Sequence, residues 1–209
     1  MDTANLAVFL GASFLLIIAP GPDIVFLITQ GLNAGRKAGL ITALGLSAGN
    51  LVHTLGAALG ISVIFQTSAF AFQALKFAGV GYLWYLAWKT LAAPRMHSDS
   101  RQSAALSRES LFLRGLLMNV LNPKVALFFL AFLPQFADPA AGRVGVQMLA
   151  LGILFTLLVV VVFGSIGLFA GSFKRKNCSQ ASAATNRYWA WLVAGIYLAL
   201  GARLAWLGG

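Results

Sequence analysis

Two residues of opposite charge each stand directly after a proline in otherwise apolar segments of the chain. Asp23 ends the sequence Pro20-Gly21-Pro22-Asp23, and Lys124 ends the sequence Asn122-Pro123-Lys124. Because proline has no backbone N–H and does not continue a helix, each segment should be interrupted here and should leave backbone groups without partners. Unpaired backbone groups and charges are costly in apolar surroundings, so we interpret both interruptions as parts of a functional site.

These residues could bind a small molecule that carries both charges. Asp23 could accept hydrogen bonds from an ammonium group, and Lys124 could donate to a carboxylate. The amides of Asn119 and Asn122 donate and accept, so they could orient either end of the molecule. We predict that these four residues bind substrate. The alternative is that Asp23 and Lys124 form a buried ion pair that only holds two parts of the protein together.

Asp23 is also the one acidic residue within a predicted apolar segment, which makes it a candidate for proton coupling. A change in its distance from Lys124 would change its affinity for a proton. Histidine as a residue type titrates near neutral pH, so His53 is a second candidate, although a hydrogen bond between helices would also explain it. Asn50 lies three residues before His53 in the same segment. The same two roles are open to it: part of the functional site, or a hydrogen bond between helices.

The composition is that of an integral membrane protein. Of the 209 residues, 59% are hydrophobic and 10% are charged, and the mean hydropathy is +0.84. A soluble domain would have about a quarter of its residues charged. The apolar runs are too long for a membrane β-barrel, whose strands alternate apolar and polar residues. We therefore expect transmembrane helices.

Six apolar segments are long enough to cross a bilayer as helices, since about 20 residues suffice. They cover approximately residues 6–28, 39–65, 68–92, 111–136, 144–173 and 188–207. Pro22 and Pro123 interrupt the first and the fourth segments. Because each half of the chain holds three segments, the second half must enter the membrane from the opposite side. The predicted fold is an all-α integral membrane protein with six transmembrane helices in two inverted three-helix repeats, the first helix of each repeat being broken at proline.

The two repeats should cover residues 1–93 and 111–209, with a cytoplasmic linker loop at residues 94–110. Helix interruptions at corresponding places in two repeats are typical of a transporter whose binding site lies near the middle of the membrane. The residues that break the helices are Pro20, Gly21, Pro22 and Pro123.

The net charge of +10 indicates membrane orientation rather than nucleic-acid binding, because the basic residues are spread over short loops. With both termini outside, the inner side would hold eleven of the fifteen basic residues. These are Arg36, Lys37, Lys89, Arg95, Arg101, Arg108, Arg114, Lys174, Arg175, Lys176 and Arg187. We therefore predict that both termini lie outside. Lys76 falls within the third segment, and we expect its side chain to extend back to water.

A row of glycines along the second segment predicts close helix packing. Gly45, Gly49, Gly56 and Gly60 lie on one side of a helix, and small residues at this spacing let helices approach closely. The same row could instead form the contact between two copies of the chain in a homodimer.

The chain resembles the LysE/RhtB family of amino-acid exporters over its whole length. The joint order and spacing of several short motifs carry this resemblance: Pro20-Gly21-Pro22-Asp23, Ala38-Gly39 and Gly45, His53, Leu75-Lys76-Phe77-Ala78-Gly79 with Tyr82-Leu83, Asn122-Pro123-Lys124, and Phe132-Leu133-Pro134-Gln135-Phe136.

The resemblance implies export of small amino acids or their analogues from the bacterial cytoplasm across the inner membrane, driven by the proton gradient. The chain resembles the branch that exports homoserine, threonine and leucine more than the branch that exports cationic amino acids. Asp23 and the triplet Asn122-Pro123-Lys124 match the family pattern, so it implies a site at these positions.

Other functions fit the residues less well. The chain has no glycine-rich phosphate-binding loop of the P-loop type, and the apolar segments contain neither a second acid nor a metal-binding cluster, so we expect neither an enzyme nor a cofactor. A passive channel for small solutes remains the main alternative. Two unlike charges at inverted positions suit alternating access better than a ring of identical pore residues.

Overall fold

The structure is a computed structural model. It describes residues 3–19, 21–67, 69–92 and 107–173, together with residues 191, 194–195, 197–202 and 205–206 of the last segment. Pro20 and residues 94–106 of the predicted linker lie outside this described part.

Every regular element in the described residues is helical. The α-helices are α1 (Thr3–Ile18), α2 (Pro22–Ala34), α3 (Arg36–Thr67), α4 (Ala69–Ala92), α5 (Arg108–Val120), α6 (Pro123–Leu127) and α7 (Val144–Ser172). A π-helical turn at Phe128–Phe132 and 3₁₀ turns at Leu133–Phe136 and Pro139–Ala141 connect α6 to α7. Described residues of the last segment are also helical.

The chain changes direction sharply between α1 and α2 and again after α5. The first pair of helices is bent by 60°, and α5 is bent by 48° from the helical run at Pro123–Phe136. Pro22 and Pro123 each occupy the first turn of the helix that follows the bend. This position suits proline, because the N–H that it lacks would have no partner within the helix.

The described helices include two that are long and apolar enough to cross a membrane. They lie at Arg36–Gly60, within α3, and at Val144–Ser172; the number rises to four if each bent pair forms one span. The chain is therefore a helical protein with the apolar lengths expected of a membrane protein.

Glycines bring α3 close to its neighbours. A Cβ atom at Gly39 would clash with the backbone of Gly167 in α7, and one at Gly45 would clash with the backbone of Phe112 in α5. Gly31 of α2 lies similarly close to α7. Helices α2, α3, α5 and α7 thus pack backbone against backbone, as small residues permit in membrane proteins.

The prediction of one continuous glycine face is wrong at its far end. Gly56 and Gly60 are exposed, and a Cβ atom at either would meet no atom within 4 Å. The close approach of α5 to α3 lies at Gly45 and Gly49, before this part of the helix. A homodimer through the exposed half stays a prediction.

Lys76 also differs from its prediction. Its side chain is 3% exposed, so it does not extend away from the protein, and its ammonium lies 4.8 Å from the centre of the Phe77 ring. A cation over an aromatic face is attracted by the ring, which offsets part of the cost of burial.

Aromatic residues pack around the π-helical turn. Phe128 lies 4.7 Å from Phe155 of α7 and 5.1 Å from Phe132, measured between ring centroids, and Phe9 of α1 lies 5.2 Å from Phe136. These contacts hold the region after α6 against α1 and α7.

We expect Gly45→Ala to destabilise the protein although alanine favours helix more than glycine. The added methyl group would meet the Phe112 backbone, and overpacking of this kind costs about 1–3 kcal/mol. Gly56→Ala is the control, because its methyl group would enter open space, and it should preserve or raise stability. Thermal unfolding of the two variants in detergent measures the difference. Equal unfolding temperatures would contradict this packing.

Candidate functional site

A cluster of polar side chains lies where the two bends approach each other. Asp23, Asn122 and Lys124, here called the break cluster, are 1%, 4% and 5% exposed. Asp23 and Lys124 each follow the proline in the first turn of α2 and α6. The two interruptions therefore bring together residues that are about a hundred positions apart in the sequence.

Asn122 links the two bends with both ends of its amide. Its Nδ2 donates to Oδ1 of Asp23, and its Oδ1 accepts from the backbone N–H of Lys124 at 3.0 Å. A carboxylate only accepts and a backbone N–H only donates, so each partner fixes the same orientation of the amide. Asn122 thereby caps α6 and binds Asp23 at the same time.

Lys124 satisfies the end of α1. Its Nζ donates to the carbonyl oxygens of Leu16 at 3.3 Å and of Ala19 at 3.1 Å. The helical partner of the Leu16 carbonyl would be the N–H of residue 20, which proline lacks. A cation is also favoured at the C-terminal end of a helix by the helix dipole. The ammonium therefore takes the place of hydrogen bonds that the interruption removes.

Gly21 leaves space for this ammonium. A Cβ atom at Gly21 would lie 3.2 Å from Nζ of Lys124, which is tighter than an ordinary contact. The backbone of Gly21 is extended, with φ −142°, so its contribution is the absence of a side chain.

Asp23 and Lys124 interact electrostatically, but their hydrogen bonds go to other groups. Asp23 is bound by the Asn122 amide, and Lys124 is bound by carbonyl oxygens. The arrangement differs from the simple ion pair that was the alternative interpretation, because each charge is held by a neutral group that a ligand could replace.

His53 and Asn119 extend the cluster towards α3 and α5. Nε2 of His53 lies 3.2 Å from the backbone carbonyl oxygen of Asn119. A carbonyl oxygen only accepts hydrogen bonds, so this nitrogen is the donor. The imidazole stacks on Phe129 with 5.7 Å between ring centroids, and it interacts electrostatically with Asp23. Asn119 packs directly on Gly49, where a Cβ atom would lie 2.6 Å from its Oδ1.

Two buried amide oxygens, one on α3 and one on α5, have no donor among the described residues. They are Oδ1 of Asn119 and Oδ1 of Asn50, and both side chains are almost fully buried. A buried acceptor without a donor costs about 1–3 kcal/mol. An ammonium group, which has three donors, would relieve that cost.

Tyr197 is a residue of this region that the sequence analysis did not select. It is 2% exposed, and Asp23 and Tyr82 of α4 are among the groups near enough to act on its charge. Tyr197 falls near the middle of the last apolar segment of the sequence, where an aromatic residue of the membrane interface is not expected. That position was the available signal.

The structure thus brings Asp23, Asn122 and Lys124 into one hydrogen-bonded cluster and places His53 and Asn119 beside it. In the described ranges, no group of three His, Cys, Asp or Glu side chains could hold a metal ion. The expectation of a site without metal or cofactor stays a prediction.

The fold and the cluster define a class: a helical membrane protein with buried charges at helix interruptions, as in carriers. The sequence profile of the LysE type translocator family matches residues 14–208, and the chain belongs to this family. It is therefore a multi-pass membrane translocator and not an enzyme. Both the family resemblance and the exclusion of an enzyme are confirmed.

Curated relatives cover most of the chain. It is 34% identical to the uncharacterized membrane protein YrhP of Bacillus subtilis (strain 168), over 76% of this chain and 80% of that protein. It is 29% identical to a leucine efflux protein of Enterobacter sp. (strain 638), over 81% and 80%. It is 31% identical to a homoserine/homoserine lactone efflux protein of Salmonella typhimurium, over 74% of each. No solved structure matches the chain.

We expect Asn122→Ala to destabilise the protein more than the loss of a helix cap alone. The change removes the α6 cap, worth about 0.5–2 kcal/mol, and also leaves Asp23 without its amide donor, for which about 1–3 kcal/mol is typical. Ser107→Ala is the matched control, because Ser107 caps α5 at the surface and binds no buried charge. Thermal unfolding in detergent compares the two. A smaller effect for Asn122→Ala would argue against the bridge.

Proposed function

We propose that the chain is a secondary active exporter that moves small amino acids or analogues, such as homoserine, threonine or leucine, out of the cytoplasm by proton antiport with alternating access. The observation that carries the proposal is the break cluster, in which a buried carboxylate and a buried ammonium are each held by neutral groups. A zwitterionic amino acid offers the complementary pair of charges. The efflux functions named for two relatives support this substrate class.

In the proposed mechanism, substrate replaces the internal partners of the cluster. The substrate ammonium takes the place of the Asn122 amide at Asp23. It also donates to the side-chain oxygen Oδ1 of Asn119. The substrate carboxylate draws the Lys124 ammonium away from the carbonyls of α1. Asn50 is a further acceptor, because its Oδ1 is buried without a donor.

Substrate binding would then change how the two halves are held together. The bonds from Asn122 to Asp23 and from Lys124 to α1 both connect the first bend to the second. When the substrate replaces these bonds, the halves can shift relative to each other. This is how occupancy of the site could be coupled to alternating access.

We further propose that each bent pair crosses the membrane as one broken helix, giving six spans in two inverted repeats at residues 1–93 and 111–209. The corresponding positions of Pro22 and Pro123 in the first turns of α2 and α6 support this. The basic loops favour an orientation with both termini outside, and membership of the family supports the bacterial inner membrane.

Asp23 is proposed as the proton-coupling group, with His53 as its neighbour in the coupling. When the Asn122 amide leaves, the carboxyl group of Asp23 changes its hydrogen-bond partner. This changes the proton affinity of the carboxyl group. His53 interacts electrostatically with Asp23, so the charge of either group affects the other.

Transport in proteoliposomes tests the function. Wild-type protein should accelerate exchange of a labelled amino acid in counterflow, and an imposed pH gradient should drive its net movement. Asp23→Asn should abolish the pH-driven movement, because an amide, unlike a carboxylate, does not take up a proton. Glu109→Gln is the matched control, because it also converts an acid into an amide but lies exposed at the start of α5.

Two outcomes would contradict the proposal. Full pH-driven transport by Asp23→Asn would remove this residue from the coupling. Movement that does not saturate and shows no counterflow would favour a passive channel over a carrier.

A further inference from the structure

A small cavity lies beside the break cluster. Its lining comes from separate parts of the fold and includes Leu16 of α1, Gly79 and Leu83 of α4, Leu127 and Phe128 after the second bend, and Leu200 of the last segment. All of these residues are apolar, so the cavity offers no side-chain partner to a charged group.

The cavity adjoins the break cluster on two sides. Leu16, which lines the cavity, also accepts a hydrogen bond from Lys124 through its carbonyl oxygen. Leu127 and Phe128 follow Lys124 by three and four residues, so they lie on the same side of the helical run. A molecule bound at Lys124 therefore has an apolar space directly beside it.

Leu200 places the last segment at the other side of the same space. The cavity thus lies between α1, α4, the second bend and the last segment, beside the ammonium that would hold the carboxylate of an amino acid.

We propose that this cavity is the subsite for the side chain of the transported amino acid and that it selects uncharged aliphatic side chains. The inference rests on the proposed export of amino acids and specifies the substrate class. An aliphatic side chain would bury apolar surface there, whereas a charged side chain would lose water without gaining a partner.

The dimensions of the cavity should limit the length of that side chain. The volume of the cavity, measured as the space open to the centre of a water molecule, is about 10 Å³. This is room for about one small group. Leu83 and Leu200 line it from α4 and the last segment, so shortening either side chain should admit a longer substrate.

The test is competition by unlabelled L-alanine, L-valine, L-leucine and L-lysine against a labelled amino acid in proteoliposome counterflow. For the wild type, alanine, whose side chain is small enough for the cavity, should compete better than lysine. Leu200→Ala should shift the preference from alanine towards leucine by about tenfold, the scale of a methylene-sized change in an apolar pocket. Leu198→Ala is the matched control in the same segment, because Leu198 is 47% exposed, and it should leave the preference unchanged.

A second variant, Leu83→Val, enlarges the cavity from α4 and should shift the preference in the same direction, which keeps the test usable if Leu200→Ala does not fold. An equal change for all competitors in the folded variants would show that these leucines only pack the helices and would overturn the subsite. Stronger competition by lysine than by alanine in the wild type would overturn it while leaving amino-acid export intact. If wild-type protein exchanges no amino acid, the proposed function fails together with the subsite.

Discussion

The structure depends on the mutual satisfaction of two interrupted helices. An interruption leaves backbone groups without their helical partners, and in apolar surroundings this is costly. Here each bend supplies the groups that the other needs. Lys124, beside the second bend, donates to the carbonyls at the end of α1, and Asn122 binds Asp23 beside the first bend while capping α6. Neither bend would be equally stable without the other.

Close packing elsewhere makes this arrangement possible. Gly39 and Gly45 let α3 contact α7 and α5 through their backbones, which fixes α5 and hence the position of the second bend. Phenylalanines after α6 fill the space against α1 and α7. The polar cluster is thus enclosed by a rigid apolar frame, in which electrostatic interactions are stronger than they are in water.

The same bonds that stabilise the cluster make it suitable for binding. Asp23 and Lys124 are held by an amide and by carbonyl oxygens, which are neutral partners that a charged ligand can replace. Hydrogen bonds between charged groups are stronger than those with one neutral partner. Two amide oxygens, those of Asn50 and Asn119, have no donor among the described residues. In the proposed site they would be acceptors for a group with several donors.

Residues with strong local constraints could be predicted from the sequence. The bends at Pro22 and Pro123 were recognisable because proline does not continue a helix, and the buried charges of Asp23 and Lys124 because charges are rare in apolar segments. That each bent pair forms one broken transmembrane helix stays a prediction. The direction in which each helix faces could not be predicted, since a helix that is apolar on all sides gives no periodic signal. This explains the wrong prediction for Lys76, the exposed glycines Gly56 and Gly60, and the omission of Tyr197.

The most direct test of the central claim compares an amino acid with its amide, which lacks the negative charge, as competitors in counterflow by wild-type protein and by Lys124→Gln. Glutamine can still donate to the carbonyls of α1, so this variant removes the charge while keeping a donor. Our account predicts that the wild type strongly prefers the amino acid over the amide and that Lys124→Gln loses most of this preference. An unchanged preference in Lys124→Gln would show that the ammonium at the second bend does not bind the substrate carboxylate.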